Sequence, residues 1–253
     1  HDNNYFHWLI ECLPKLVYAN TIPELEGLQI LIGNLLHPNY IDALERINQG
    51  RRPIIRLVEG RGYLFDRLIV CADLSRILDR YEGRARAGSD LLLSPKWVTR
   101  TAEALAGPAL EPKVNPWRKL YLTRRTASYR KLINEHELEL MLLQDGFEII
   151  DLSGPSIDFQ IALFRQAKMI VAPTGAALTN LMFCAPGTRC VVLSAEHEAL
   201  NYYIFSHLAQ IMGVSLEHVV GRRAYNQAGF SVHDDFRVDL ELVRNVARQS
   251  AEV

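Results

Sequence analysis

Hydrophobic spacing divides the chain into two differently patterned halves. Over residues 4–19, Phe6, Leu9, Ile10, Leu13 and Leu16 recur at helical intervals, which predicts a helix with one core-facing stripe. Pro14 falls inside it and should kink or end it, because proline lacks an N–H and its ring crowds the preceding turn. Apolar runs at 28–32, stopped by Gly33, and at 54–58 predict strands, with a helix around 40–48 between them. Residues 63–65 and 68–71 are shorter strand candidates. Ser94-Pro95 signals a helix start, since serine caps and proline suits the first helical position; that helix should reach Ala106. Gly107-Pro108, followed by Pro112 and Pro116, breaks the pattern and predicts a linker between two lobes.

Beyond the linker the periodicity is cleaner. Strands are expected at 120–123, 147–150, 169–172 and 189–193, alternating with helices at 134–144, 158–168, 175–184 and 198–212. Asn134 should cap its helix with Glu137 at the capping-box position, and Gly146 should close it. Four such β-α units with short turns predict a doubly wound, mostly parallel sheet. Residues 240–249 form one more amphipathic helix.

Composition narrows the partners. The 253 residues are 49% hydrophobic and 23% charged, the balance of a globular protein. Lys plus Arg number 28 against 29 Asp plus Glu, so no global field draws nucleic acid, and any phosphate recognition must be local. Arginines cluster locally, at Arg51-Arg52, Arg84 with Arg86, Arg124-Arg125 and Arg222-Arg223. Cys12, Cys71, Cys184 and Cys190 lack the paired spacing of a zinc or redox site and read as reduced core residues of a cytoplasmic protein. No apolar run reaches ~18 residues and no signal peptide is visible. The chain opens at His1 directly on a motif, as an excised piece of a longer polypeptide would.

Three stretches carry chemistry. The strand 169–172 runs into Pro173, Thr174, Gly175, Ala176 and Ala177, a turn of small residues opening a helix, where backbone N–H groups can face an anion. Thr174 and Thr179 add hydroxyls and Asn180 an amide; close helix-sheet packing is the alternative reason for the small residues. Arg124 and Arg125 end the strand at 120–123, where open α/β sheets bind ligands, and guanidinium forks suit a pyrophosphate. In the first helix His7 and Glu11 are four apart and share a face opposite much of the apolar stripe, arranged either as a general base with its orienting partner or as a surface ion pair. The remaining histidines form no complementary zinc cluster.

In this order the stretches resemble glycosyltransferase family 61. Its Asn-x-x-His-x-x-x-acidic-x-Leu-Pro element is matched by Asn4, His7, Glu11, Leu13 and Pro14. Its Arg-rich strand end is matched by Arg124 with Arg130, Asn134 and Glu135. Its Gln before a Phe-x-x-Ala helix is matched by Gln160, Phe164 and Ala167, and its His-Gly-Ala-Gly-Leu-Thr-Asn turn by Thr174 through Asn180. Thr174 departs from the family histidine and Ala177 from the family glycine; short loops look like the bacterial members tied to capsular polysaccharide or lipopolysaccharide. The resemblance implies a GT-B-like α/β fold, two Rossmann-like lobes facing a cleft with a reduced N-terminal lobe. It divides the chain into an acceptor-side lobe at 1–112, a nucleotide-sugar lobe at 113–234 and a terminal helix at 235–253. It implies inversion, no essential metal and no cofactor beyond the nucleotide-sugar substrate. Donor contacts would come from Arg124, Arg125, Arg130, Asn134, Thr174, Gly175, Ala176, Ala177, Thr179, Asn180 and, on the ribose, Glu196. The acceptor carbohydrate would meet Asn4 and the base, His7 or Glu11. A cytoplasmic enzyme associated peripherally with the inner membrane face fits that branch. The rival is a non-catalytic nucleotide-sugar or glycan-binding module; a dinucleotide oxidoreductase is disfavoured because no Gly-x-Gly-x-x-Gly follows an early strand.

Overall fold

The computed structural model describes residues 4–78, 89–107, 115–224 and 233–249. The chain starts with α1 (Tyr5–His7), a π-helical segment (Trp8–Cys12) and α2 (Leu13–Ala19), all continuous. Phe6, Leu9, Ile10, Leu13 and Leu16 are buried, as their spacing requires. Pro14 does not end the helix. The Leu13 N–H reaches back five residues to the Trp8 carbonyl, and this widened turn accommodates proline in the first turn of α2.

Next come β1 (Ile30–Gly33), α3 (Pro38–Asn48) and β2 (Ile54–Leu57), a parallel βαβ unit. Residues 63–65 and 68–71 are not strands. Their stretch is exposed, with Leu64 98% accessible, so the apolar residues there have no sheet to join. The pairing that does form, β3 (Arg76–Ile77) antiparallel to β4 (Leu91–Leu92), was not expected. Helix α4 (Pro95–Ala106) follows Ser94 as predicted, although the serine side chain makes no capping bond. Most of the expected linker, Pro112 included, lies outside the described residues, as do Arg84 and Arg86.

The second half contains β5 (Arg118–Leu122), α5 (Glu135–Gln144), β6 (Glu148–Ile150), α6 (Ile157–Arg165), β7 (Ala167–Pro173), a 3-10 segment (Ala176–Phe183), β8 (Arg189–Ala195), α7 (Tyr203–Met212), β9 (Ser215–Arg223), β10 (Phe236–Arg237) and α8 (Leu240–Gln249). They build one six-stranded sheet in the order β6-β5-β7-β8-β9-β10, parallel except for β10. Strand β9 escaped the sequence reading because Glu217, His218, Arg222 and Arg223 interrupt its apolar pattern, and β10 because two residues are too few to show a period. Helix α7 starts at Tyr203 instead of 198, since a turn in which the Leu200 N–H donates to the His197 carbonyl occupies the intervening residues.

Alternate sheet residues face two cores. Leu120, Leu122, Ile170, Ala172 and Val192 join α1–α4 on one side; Tyr121, Met169, Val171, Val191 and Leu193 pack with residues of α5 and α8 on the other. The molecule is thus a mixed α/β protein with both sheet faces covered. None of the four cysteines is in a disulfide, but only Cys184 and Cys190 are core residues; Cys12 and Cys71 are half-buried. Burial pushes the Cys184 and Cys190 thiols up, so both stay protonated.

The connectivity positions the site. From β5 the chain steps outward to β6, then returns to place β7 on the opposite side of β5. Such a reversal opens a crevice at the carboxyl ends of β5 and β7, the place where doubly wound proteins take ligands. Arg124 and Gly175 emerge there.

Candidate functional site

The turn after β5 is fixed by one carboxylate. Glu135, buried at the start of α5, accepts from Tyr121 OH at 2.8 Å, from Thr123 Oγ1 at 3.0 Å and from the Arg124 N–H at 2.8 Å. Burial and the adjacent Glu135 charge push the Tyr121 hydroxyl well up, keeping it a donor. The Arg124 guanidinium therefore leaves the strand end in a set direction. Its Nη2 donates to the Tyr129 carbonyl at 3.3 Å, and it lies 6.0 Å from the centre of the Tyr129 ring, with Arg130 5.1 Å from the same ring. Arg130 has a left-handed backbone, φ 55°, which for a non-glycine residue costs about 1–3 kcal/mol and marks an imposed geometry.

Neither arginine pairs with a carboxylate among the described residues, and the Nε atoms of both are buried without a hydrogen-bond partner. Burial, then the neighbouring Arg130 charge, pulls the Arg124 guanidinium down from its ordinary value. Two close cations held in this way leave positive potential for an anion to neutralise. Arg125 does not join them; it turns to the buried Glu139.

Gly175 lies against the Arg124 guanidinium. A Cβ there would overlap Nη1 of Arg124. Its backbone is extended, so glycine is needed for close approach and not for conformation. The helix expected at 175–184 is a 3-10 segment instead. Thr179 Oγ1 donates to the Ala176 carbonyl at 2.7 Å and Asn180 Nδ2 to the Ala177 carbonyl at 3.1 Å, local bonds that hold the tighter turn. Its first N–H groups have no partner within the segment.

Thr179 and Asn180 are fully buried beneath this turn. Asn180 Oδ1 accepts from Tyr5 OH at 2.8 Å and its Nδ2 donates to Gln160 Oε1 at 2.8 Å, so the amide ties α1 and α6 to the sheet crevice. Asn180→Ala should lower unfolding stability by about 2–3 kcal/mol, because it strands buried partners. Urea unfolding checks this; an unchanged midpoint would show that the amide bridge is not made.

His7 and Glu11 meet across the π-helical segment, Nδ1 to Oε2 at 2.6 Å. They do not form a surface pair: His7 is 5% exposed, and Glu11 Oε1 accepts from the Ile77 N–H of β3 at 2.8 Å. A cavity of about 150 Å³ brings His7 together with Asn4, Arg130, Thr174, Gly175 and Ala176. Arg124 and Ala177 line an adjoining cavity. The other expected site residues lie elsewhere. Asn134 makes no helix-capping bond; its amide exchanges two hydrogen bonds with the Val238 backbone. Glu196 is exposed and lines neither cavity. Sequence reasoning missed Tyr129, which sits between the two arginines, and Asn201 and His233 in the wall of the first cavity. The run Tyr129-Arg130 beside Arg124 held a signal for the first; the other two are brought in only by the fold. Among the described residues no group of three or more His, Cys, Asp or Glu is placed to hold a metal ion, and no helix is long and apolar enough to cross a membrane.

The crevice of this sheet thus carries two arginines without carboxylate partners among the described residues, and the neighbouring cavity holds the His7 side of a His–Glu pair. The family model described as Glycosyltransferase 61 matches residues 5–191, most of the chain, and the protein belongs to that family. Family membership makes it a glycosyltransferase and implies a nucleotide-sugar donor and a carbohydrate acceptor. Comparison with curated proteins gives no match.

Proposed function

We propose that the protein is an inverting, metal-independent glycosyltransferase that moves a sugar from a nucleotide-sugar to a carbohydrate hydroxyl, in bacterial surface-polysaccharide synthesis at the cytoplasmic face of the membrane. The carrying observation is that one cavity contains both a phosphate-neutralising cation, Arg130, and a potential proton acceptor, His7, with Gly175 beside them. In this reading residues 1–112 and 113–234 act as the two lobes of a GT-B-like enzyme, closed by the helix at 235–253.

Glu11 has both oxygens engaged, one by His7 and one by Ile77, so its part is to orient the imidazole. His7 is the base. Its ring takes the acceptor proton on Nε2 while Glu11 holds Nδ1. The acceptor oxygen bonds to the anomeric carbon as the carbon–oxygen bond to phosphate breaks, and the nucleoside diphosphate leaves with the electron pair. One displacement from the face opposite the leaving group inverts the centre. Arg124, Arg130 and the N–H groups at Gly175 and Ala176 stabilise the departing charge, the part that a divalent cation plays elsewhere.

The test is transfer from a panel of UDP-, GDP- and CMP-sugars to saccharide acceptors in the presence of EDTA, with product anomers read by NMR. Retention, or activity abolished by EDTA and restored by a divalent cation, would sink the reading. Within it, Arg124→Ala should weaken donor binding by roughly 1.5–3 kcal/mol, about 10- to 150-fold, with the fold preserved. Arg124→Lys should restore only part, because it loses the fork. Calorimetric titration with the nucleoside diphosphate reads both.

A further inference from the structure

The second cavity has a volume of about 270 Å³, near the ~300 Å³ lower end of ligand clefts. It adjoins the first. Ala177 and Arg124 line it, Gly175 and Ala176 line the other, and the Arg124 guanidinium lies over Gly175. The 175–177 turn is therefore the floor of one crevice with two ends. A diphosphate seated at its middle projects one substituent each way. His7 occupies the end toward β7 and β8, where the transferred sugar reacts, so the opposite end, at β5 and β6, receives the other substituent.

The chemistry at that end is specific. Asp151 directly follows β6; one of its oxygens accepts from the Ser153 N–H at 2.8 Å, and the second is left for a ligand. A carboxylate at the end of the second strand is how many doubly wound proteins hold the hydroxyls of a ribose. His37 Nδ1 accepts from the Asn39 N–H at 3.2 Å, which puts the proton of the neutral ring on Nε2. Asn39 Nδ2 donates to the Pro155 carbonyl at 2.9 Å, leaving its side-chain oxygen as an acceptor. The Tyr5 and Tyr40 rings, 6.0 Å apart, add an aromatic wall. Carboxylate, donor, acceptor and aromatic wall together match a ribose carrying a planar base.

We propose that this cavity, between α3 and the carboxyl ends of β5 and β6, holds the nucleoside of the donor, with Asp151 on the ribose hydroxyls and the His37–Tyr40 turn against the base. The assignment rests on the reading of Arg124 and Gly175 as a diphosphate seat. It moves the ribose contact from Glu196, which lines neither cavity, to Asp151.

The test compares inorganic pyrophosphate with UDP, GDP, CDP and ADP by calorimetric titration of the whole chain. Pyrophosphate reads the seat; the tightest of the four nucleotides reads the seat plus the cavity. Asp151→Asn should weaken that nucleotide by at least ~10-fold while changing pyrophosphate affinity less than ~2-fold, the loss expected for a charged hydrogen bond to a diol. The 2′-deoxy form of the same nucleotide should bind the natural protein more weakly and lose little more in the variant. An unchanged ratio of nucleotide to pyrophosphate affinity in Asp151→Asn overturns the nucleoside assignment while leaving the seat intact, and so does a loss produced by Glu196→Gln instead. If neither pyrophosphate nor any of the four nucleotides binds the natural protein, the seat itself is wrong and both readings fall.

Discussion

His7→Asn is expected to lower turnover ~10²–10⁴-fold while donor affinity stays nearly unchanged, because a general base acts on the acceptor proton and the donor is held by the other side of the crevice. Glu11→Gln should cost less. Glutamine can still accept from the Ile77 N–H and keep the helix in place, but it no longer offsets the positive charge that His7 gains on taking the proton. Since Glu11 acts through His7, the double variant should be little worse than His7→Asn alone. Steady-state kinetics beside nucleotide titration separates the outcomes. Near-normal turnover in all three variants would reduce the pair to a structural contact and send the search for the base elsewhere in the cavity.

Gly175→Val should abolish measurable donor binding, a loss of about 100-fold or more if Arg124 is driven out and the N–H groups are covered as well. The reason is spatial: even a Cβ overlaps the Arg124 guanidinium, and valine adds two more carbons. Because the Gly175 backbone is extended, valine can adopt it, and the variant should fold. Circular dichroism and a thermal melt establish that. Gly175→Ala should show a smaller loss, since the obstructing group is the tip of a flexible side chain. In an Arg124→Ala background Gly175→Val should cost distinctly less than on its own, because part of its effect is the displacement of that arginine. A folded Gly175→Val protein that binds the nucleotide normally would reject the seat.

Local signals told most where one physical cause dominated. The helical stripe from Phe6 to Leu16 and the β-α alternation after residue 115 depend on burial, which writes a period into the chain; the stripe is buried and β5 to β8 stand where that period predicts, whereas the helix expected at 175–184 is a 3-10 segment and α7 begins only at Tyr203. Residues 63–71 show the converse: apolar spacing marks a capacity for pairing, but a strand needs a neighbour, and here the apolar side chains meet none. Pro14 was misread because the relief comes from a widened turn upstream, which has no residue signature of its own. At the site, Arg124, Arg130, Gly175 and His7 were legible as chemical types at strand or helix ends. Their mutual arrangement was not. Nothing in the spacing of Asn134 foretold that its amide would hold the Val238 backbone, or that Thr179 and Asn180 would lie beneath the turn they follow.

The bond between Tyr5 and Asn180 joins residues 175 positions apart. Closing so long a loop is entropically costly and is repaid only when the contacts between its ends are made. During synthesis the helix that carries His7 emerges before β5, β6 and β7 and waits for its partner until they have followed. His7 and the turn at Gly175 are therefore brought together late in assembly, and a chain interrupted before Asn180 has the histidine but lacks the tie that positions its helix.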